Sequence, residues 1–395
     1  MPNDPGINLL RLLGITGTNK VMAGELSRLV SHATPPVALP EPTRDGLGSL
    51  SYPFAADAAF VAARYHRTSA RVFWDLYQSR ATRLESLYLD LIEQVHHDNR
   101  PWMRNNIGIS VDARRVKGFA AGERQIVGTV KNAIVDGAFR KGFSIRVEPR
   151  QPNVSVDVRL RDGVMTVAID LAGRPMHLRG YRKEGGVAPL KENLASVLVM
   201  LTRHDARVEP LLDPMAGSGT IAIEAALMGR GSPVWMCPRF ALCERMAPFE
   251  RMARTQARPV FPETKPLIFA NELMPEAATA CKNHVARAGV AEFVRCTQGD
   301  FRDMDIRGLL RSCEERGMGS RGVILTNPPY GIRMSSSELR SLYKDFGEWC
   351  RQFRGWRAGM LIADPELEQM IGARPRIRKP LSNGRIRSTF VMYEF

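Results

Sequence analysis

Hydrophobic and polar residues follow two different rhythms along the chain. Up to about residue 185, helical spacing and strand-like alternation are mixed. The pattern predicts helices at residues 22–30, 52–76, 84–96 and 123–140, and strands at residues 107–111, 155–160 and 164–171. A turn-rich stretch at residues 34–48 predicts a long loop, and Arg161-Asp162-Gly163 predicts a hairpin turn between the last two strands. We expect compact α+β modules in this region.

Beyond residue 185, apolar runs alternate with amphipathic helices. Strands are predicted at residues 208–214, 266–273, 291–300, 322–331 and 358–363, and helices at residues 219–231, 275–288 and 338–353. This alternation is typical of a doubly wound, mostly parallel sheet, so the fold class is predicted to be α/β. The final residues predict two antiparallel strands joined by an Asn-Gly turn at Asn383 and Gly384.

Length and charge suggest several domains and a polyanionic partner. With 395 residues, and roughly 150 residues per domain, two or three domains are expected. The net charge of +15 favours nucleic acid, because lysines and arginines that neutralise phosphates release counterions. Residues 100–185 contain seventeen Lys and Arg against eight Asp and Glu, and residues 351–387 contain nine against three. These stretches are candidate nucleic-acid-facing surfaces; the alternative is an ordinary solvated surface.

Cysteine usage and apolar runs argue against other classes. All six cysteines lie beyond residue 236 and form no CxxC pair, so neither a metal site nor a disulfide framework is expected. The first residues lack the pattern of a signal peptide, and no segment approaches the roughly 18 apolar residues of a membrane helix. We expect a cytoplasmic protein with no membrane or metal partner, and a monomer is favoured.

A run of small residues follows the first strand of the second region. It reads Asp213, Pro214, Met215, Ala216, Gly217, Ser218, Gly219, Thr220. In an open α/β sheet, ligands bind at the carboxyl ends of strands, where small residues let them approach the backbone and a helix N-terminus. The spacing is neither that of a Walker loop nor that of a dinucleotide-binding motif. The run indicates either a cofactor site or a purely structural turn.

Acidic residues end the next two strands. The Glu272 carboxylate can accept hydrogen bonds from two ribose hydroxyls. Asp300 can accept from an adenine amino group, and Phe301 beside it can pack on the ring. Each acid alone would be an ordinary strand-end or helix-cap residue. Together with Asp213, they describe a nucleoside pocket.

Asn327, Pro328, Pro329 and Tyr330 end the fourth strand. An exocyclic amine of a base is a poor nucleophile, because its lone pair is delocalised into the ring. If the Asn327 side-chain oxygen and the Pro328 carbonyl accept its two hydrogens, the nitrogen can become pyramidal and direct its lone pair at a sulfonium methyl. Tyr330 would stack on a base that is single-stranded or flipped out. The alternative is a rigid turn with a partly buried tyrosine.

With these motifs, the chain resembles the THUMP-domain RNA methyltransferases that make N2-methylguanosine. The likeness is to the N-terminal half of the bacterial enzymes that methylate a guanine of large-subunit ribosomal RNA, and it covers roughly residues 50–395. The segments that carry it are VKNAIVDGAFRKGF (130–143), VAIDLAGRPMHLRGYR (167–182), APLKENLA (188–195), LLDPMAGSGTIAIEAA (211–226) and TNPPYGIRM (326–334).

The resemblance implies three modules and assigns roles to the motifs. The modules are an atypical ferredoxin-like module at residues 1–75, a THUMP RNA-binding domain at residues 76–184 and a Rossmann-like class I methyltransferase domain at residues 185–395. S-adenosylmethionine is assigned to the run from Asp213 to Thr220, Glu272, Asp300 and Phe301, and the target guanine to the run from Asn327 to Tyr330. Arg179 and Arg182 would contact RNA or cofactor, or have a structural role.

Two features depart from the family pattern, and other functions stay open. The first 50 residues match poorly, and no second methyltransferase half follows the final hairpin, so a single methylation of ribosomal RNA is expected. One alternative is N6-adenine methylation of RNA or DNA, and another is N2-guanine methylation of transfer RNA. An alternative of another class is a non-catalytic RNA-binding protein in ribosome assembly.

Overall fold

The chain forms two units, each built on its own sheet. A computed structural model describes residues 7–33, 38–44, 46, 48–113, 116–183, 190–234, 249, 264–329, 334–383 and 386–395. Among these, the first unit contains residues 7–13, 23–176 and 249, and the second contains residues 14–22, 177–234 and 264–395.

The first unit has an eight-stranded, mostly antiparallel sheet. Its strands are β1 (Leu9–Leu13), β2 (Thr43–Arg44), β3 (Ser49–Pro53), β4 (Arg71–Ser79), β5 (Ile107–Ala113), β6 (Ile145–Val147), β7 (Val154–Arg161) and β8 (Val164–Asp170). They lie in the order β2-β3-β1-β4-β8-β7-β5-β6, and β5 runs parallel to both of its neighbours. The helices in this part of the chain are α1 (Asn19–Ser31), α2 (Ala56–Tyr65), α3 (Leu84–His97) and α4 (Glu123–Arg140).

Most elements predicted for this region are confirmed, but one helix is wrong. The predicted helix at residues 52–76 is in fact the end of β3, then α2, then most of β4. β4 lies between β1 and β8 and is buried on both faces, so it lacks the alternation that marks a half-buried strand. It also crosses residues 75 and 76, where the sequence predicts a module boundary. The predicted hairpin turn is confirmed: Asp162 and Gly163 have φ of 50° and 75°, as a type I′ turn requires.

The second unit has a seven-stranded sheet flanked by helices. Its strands are β9 (Leu211–Asp213), β10 (Ile268–Glu272), β11 (Val294–Gln298), β12 (Val323–Thr326), β13 (Arg357–Ile362), β14 (Ile377–Asn383) and β15 (Ile386–Glu394). Its helices are α5 (Glu192–Leu201), α6 (Thr220–Gly229), α7 (Pro275–Arg287), α8 (Ile306–Glu315), α9 (Ser336–Cys350) and α10 (Pro365–Met370). The described part of the chain contains no helix long and apolar enough to cross a membrane.

The strand order of this sheet is β11-β10-β9-β12-β13-β15-β14. β9 to β13 are parallel, while β15 is antiparallel to both β13 and β14, so the predicted doubly wound sheet and terminal strand pair are confirmed. Gly384 of the predicted turn lies outside the described residues. The chain adds β10 and β11 on one side of β9 and then returns to add β12 on the other. The order of strands therefore reverses between β9 and β12, and ligands of such sheets bind at this switch point.

Successive strand residues bury their side chains on opposite faces of this sheet. Leu211 packs in a core with α5, α6 and α7, whereas Leu212 packs in a second core with α8, α9 and α10. Because helices cover both faces, the central strands read as continuous apolar runs. α8 and α10 were not predicted from the sequence; α10 has only six residues.

The packing of α3 on α4 gives a stability prediction for the first unit. A β-carbon at Gly137 would lie 2.8 Å from the Val95 side chain and 2.9 Å from the Ile92 carbonyl oxygen. We expect Gly137→Ala to lower the free energy of unfolding by about 1–3 kcal/mol in urea denaturation, because the helices must separate. Gly128→Ala on the same helix is the matched control: no atom lies within 4 Å of its β-carbon, so it should be neutral or stabilising. Equal effects of both substitutions would contradict this packing.

Candidate active site

A left-handed glycine turn connects β9 to α6. Gly219 is the N-cap of α6 and has a φ of 83°, which disfavours residues with a β-carbon. A β-carbon there would also lie 2.5 Å from the Cys281 sulfur on α7. Gly217 has a φ of 53°, but a β-carbon at this position would meet no atom within 4 Å. The turn is therefore packed tightly at Gly219 and borders open space at Gly217.

Glu272 fastens this turn to the end of the neighbouring strand β10. One of its carboxylate oxygens accepts a hydrogen bond of 2.7 Å from the Gly217 N–H, and the other accepts 2.9 Å from the Met274 N–H. Glu272 is partly exposed, and each carboxylate oxygen has a second lone pair for a ligand donor. Sequence and structure therefore agree in placing Glu272 beside the glycine turn.

Asn271, which was not predicted from the sequence, connects the glycine turn to the end of β11. Its backbone carbonyl accepts from the Ala216 N–H at 2.8 Å. Its side-chain amide donates to the Gly299 carbonyl at 2.9 Å and to the Pro214 carbonyl at 3.3 Å. The Thr297 hydroxyl donates to its side-chain oxygen at 2.9 Å. The signal available in the sequence was an asparagine inside an otherwise apolar strand segment.

Asp213 ends β9 with a fully buried carboxyl group. Burial, together with the nearby Glu272 carboxylate, raises the pKa of Asp213 to about 7. The Thr326 hydroxyl and the Met215 N–H oppose this increase, the latter at 3.3 Å from a carboxylate oxygen. Asp213 therefore changes its charge near neutral pH, inside the site rather than at the surface.

Asp300 and Phe301 follow β11, but other side chains already contact both. The Arg302 guanidinium binds the Asp300 carboxylate at 2.6 Å and holds its pKa below the usual value. Phe301 is buried and meets the rings of Phe346 and Trp349 nearly at right angles. Asp300 is thus an ionised acceptor at the rim, and Phe301 is part of the core. Their contacts with an adenine stay a prediction.

Asn327 and Pro328 lie at the same edge of the sheet as the glycine turn. β12 pairs with β9, with Ile324 level with Leu212, so Asn327 follows the strand next to Asp213. Adjacent strands are about 4.8 Å apart, which brings the two segments within reach of one ligand. Asn327 is partly exposed, Pro328 is buried and Pro329 is exposed. Tyr330 lies outside the described residues, and its role stays a prediction.

The two predicted arginines have different positions. Arg179 is fully buried and pairs with the Glu224 carboxylate of α6 at 3.2 Å, where the Ser196 hydroxyl also donates to Glu224. A side chain in the core cannot reach RNA at the surface, so the structure favours the structural alternative for Arg179. Arg182 donates at 2.7 Å to the Thr220 hydroxyl, directly after the glycine turn. It therefore touches the candidate cofactor segment.

Two apolar side chains at the rim were not predicted from the sequence. Leu273 and Met274 follow Glu272 and are 55% and 54% exposed. Adjacent exposed apolar residues are unusual beside a polar strand end, and they could cover an apolar part of a ligand. Groups of three or more metal-ligating side chains do not occur among the described residues.

A family model described as RMKL-like, methyltransferase domain matches residues 179–391. The ribosomal RNA large subunit methyltransferase K/L of Marinomonas sp. (strain MWYL1) is 29% identical over 356 residues, which are 87% of this chain and 48% of that protein. The chain thus spans about half the length of such relatives.

Two solved structures are similar over 98% of this chain. SMU.472, which was crystallised with SAH, has a TM-score of 0.81 at 22% identity and is covered to 98%. A predicted N6-adenine-specific DNA methylase from Listeria monocytogenes has a TM-score of 0.79 at 23% identity and is covered to 96%. At these identities the likeness concerns the fold. Together with the strand order, it confirms the predicted Rossmann-like class I methyltransferase fold.

The raised pKa of Asp213 predicts a pH dependence of stability. An unfolded Asp ionises near pH 3.9, whereas the folded protein keeps this proton up to about pH 7. The folded state therefore holds an extra proton between these values, and this contribution to stability is lost as pH rises, by at most roughly 1.4 kcal/mol per unit. Asp213→Asn cannot ionise, so its stability relative to wild type should rise from pH 4 to pH 7 and then level off. Urea denaturation of both proteins across this range measures the difference; a constant difference would contradict the assignment.

Proposed function

This chain belongs to the family of RMKL-like methyltransferase domains, and from that membership we propose that it methylates the N2 amine of a guanine in large-subunit ribosomal RNA, with S-adenosylmethionine as donor. The observation that carries the proposal is the placement of the glycine turn and Asn327 at the carboxyl ends of the adjacent strands β9 and β12. The names of the relatives support the choice of ribosomal RNA.

The residues around the glycine turn fit the proposed cofactor. The open space at Gly217 leaves room for a ligand against the backbone. Glu272 would hold the ribose hydroxyls, and Asp300 would accept from the adenine amine. When bound, the cofactor supplies an electrophilic methyl group on a sulfonium sulfur. The fixed carboxylates of this edge suit a ligand with a positive charge and several hydrogen-bond donors.

Asn327 and Pro328 would prepare the amine of the target base. Their oxygens accept its two hydrogens, which shifts the nitrogen towards a pyramidal geometry with an available lone pair. Pro328 is buried, so its carbonyl is held in place. Asn327 and Pro328 would hold the amine against the methyl group that the bound cofactor would supply, and the methylated nitrogen would lose its extra proton to water. Catalysis rests on positioning, so a strong general base is unnecessary.

The remaining assignments concern RNA. The base must leave its stack to reach the sheet edge, and Tyr330 would stack on it. We assign binding of the surrounding RNA to the THUMP domain proposed at residues 76–184. In the sequence, this domain follows the ferredoxin-like module proposed at residues 1–75. Arg182 would help to orient the glycine turn through its hydrogen bond to the Thr220 hydroxyl.

We expect Asn327→Ala to lower turnover at least about a hundredfold, because a misplaced amine loses the advantage of orientation. The assay incubates ribosomal RNA with isotope-labelled S-adenosylmethionine and identifies the labelled nucleoside by mass spectrometry. Wild-type protein should place the label in N2-methylguanosine.

Affinity for S-adenosylhomocysteine, measured by calorimetry, is the internal control. It should change little in Asn327→Ala, because this residue acts on the base. Label found only in N6-methyladenosine would replace guanine by adenine as the target. If the wild-type protein does not bind S-adenosylhomocysteine, the alternative function as a non-catalytic RNA-binding protein in ribosome assembly is favoured instead.

A further inference from the structure

Two thiols of the second unit face each other behind the glycine turn. The Cys281 sulfur on α7 and the Cys296 sulfur on β11 are 3.8 Å apart. Both cysteines are free, as are Cys313 and Cys350 among the described residues. Cys281 is buried, whereas Cys296 is partly exposed and so accessible to a dissolved reagent.

The Cys281 sulfur is also part of the support of the turn. It occupies the space in which a β-carbon of Gly219 would lie, 2.5 Å from that position. One turn further along α7, the His284 Nδ1 lies 3.1 Å from the Ser218 carbonyl oxygen, as in a hydrogen bond. α7 thus contacts the turn at two residues that lie one helical turn apart, and any displacement of the Cys281 sulfur changes the packing beneath Gly219.

We propose that Cys281 and Cys296 are a site of reversible oxidation by low-molecular-weight disulfides, and that the bridge they form weakens nucleoside binding at the glycine turn. A disulfide bond measures about 2.05 Å, so the two sulfurs must approach each other by about 1.8 Å. The movement draws the Cys281 sulfur away from Gly219 or pulls α7 towards β11. The effect on nucleoside binding rests on the proposed function.

The oxidation of the two protein thiols by one small disulfide needs no further reagent. The Cys296 thiolate attacks one sulfur of the small disulfide and expels a small thiolate. Cys281 then loses its proton and attacks the Cys296 sulfur of the mixed disulfide, which expels the second small thiolate. Two protein thiols are oxidised to one disulfide, and one small disulfide is reduced to two thiols.

The order of attack follows from the environment of the two sulfurs. The hydrogen bond between the thiols lowers the pKa of Cys296, and the Lys282 ammonium lowers it further. The same hydrogen bond and burial raise the pKa of Cys281. Cys296 is therefore the more acidic and more accessible thiol and attacks first, and Cys281 is the resolving thiol.

The test treats the full-length protein with oxidised glutathione and maps disulfide-linked peptides by mass spectrometry. We expect a Cys281–Cys296 cross-link that a dithiol reductant removes. Calorimetry should show that S-adenosylhomocysteine binds the oxidised protein at least about tenfold more weakly than the reduced protein.

Two variants separate this pair from the other cysteines. Cys296→Ser keeps the Cys281 sulfur beneath the turn, and its affinity should be insensitive to oxidation. Cys313→Ser, in the core on the opposite face of the sheet, should respond like wild type. An absent cross-link, or a cross-link with unchanged affinity, overturns the inference. If the reduced protein does not bind S-adenosylhomocysteine, both the proposed function and the proposed effect of oxidation on binding are overturned. The peptide map still shows whether the disulfide forms.

Discussion

The left-handed backbone at Gly219 is the constraint on which the rest of the site depends. It allows the chain to leave β9 and enter α6 within six residues, and it leaves room for the Cys281 side chain of α7 to pack directly against the turn. The helix N-terminus and the open space at Gly217 then face the edge where the strand order reverses. A residue with a β-carbon at Gly219 would force apart the turn and Cys281.

Three carboxyl groups surround this turn and determine which ligands the site can bind. Glu272 fixes the turn through the Gly217 N–H, while Asp213 behind it is buried enough to hold a proton near neutral pH. Asp300 stays ionised beside Arg302. A site lined by three carboxyl groups suits a ligand that carries hydroxyls, an amine and a positive charge. Asn327 on β12 brings neutral acceptors to the same edge, which suits an uncharged amine.

Much of this site could be predicted because it consists of local motifs. The glycine run, Glu272 and the Asn327-Pro328 pair each follow an apolar strand, and parallel strands end at one edge of a sheet. What could not be predicted depends on distant contacts. The partner of Arg179 is Glu224, 45 residues away, and nothing near Arg179 in the sequence shows that it is buried. Cys281 and Cys296 are 15 residues apart and form no short motif. The sequence of β4 resembles that of a helix because burial of both faces of the strand removes the alternation of apolar and polar residues.

The proposed reaction requires one ligand at the end of β9 to meet a second ligand at the end of β12. A crystal structure of the full chain with S-adenosylhomocysteine tests it most directly. We expect the ribose hydroxyls to lie within hydrogen-bond distance of the Glu272 carboxylate, and the sulfur to lie on the side of the turn that faces Asn327. A nucleoside bound elsewhere, or one whose sulfur points away from β12, would contradict it.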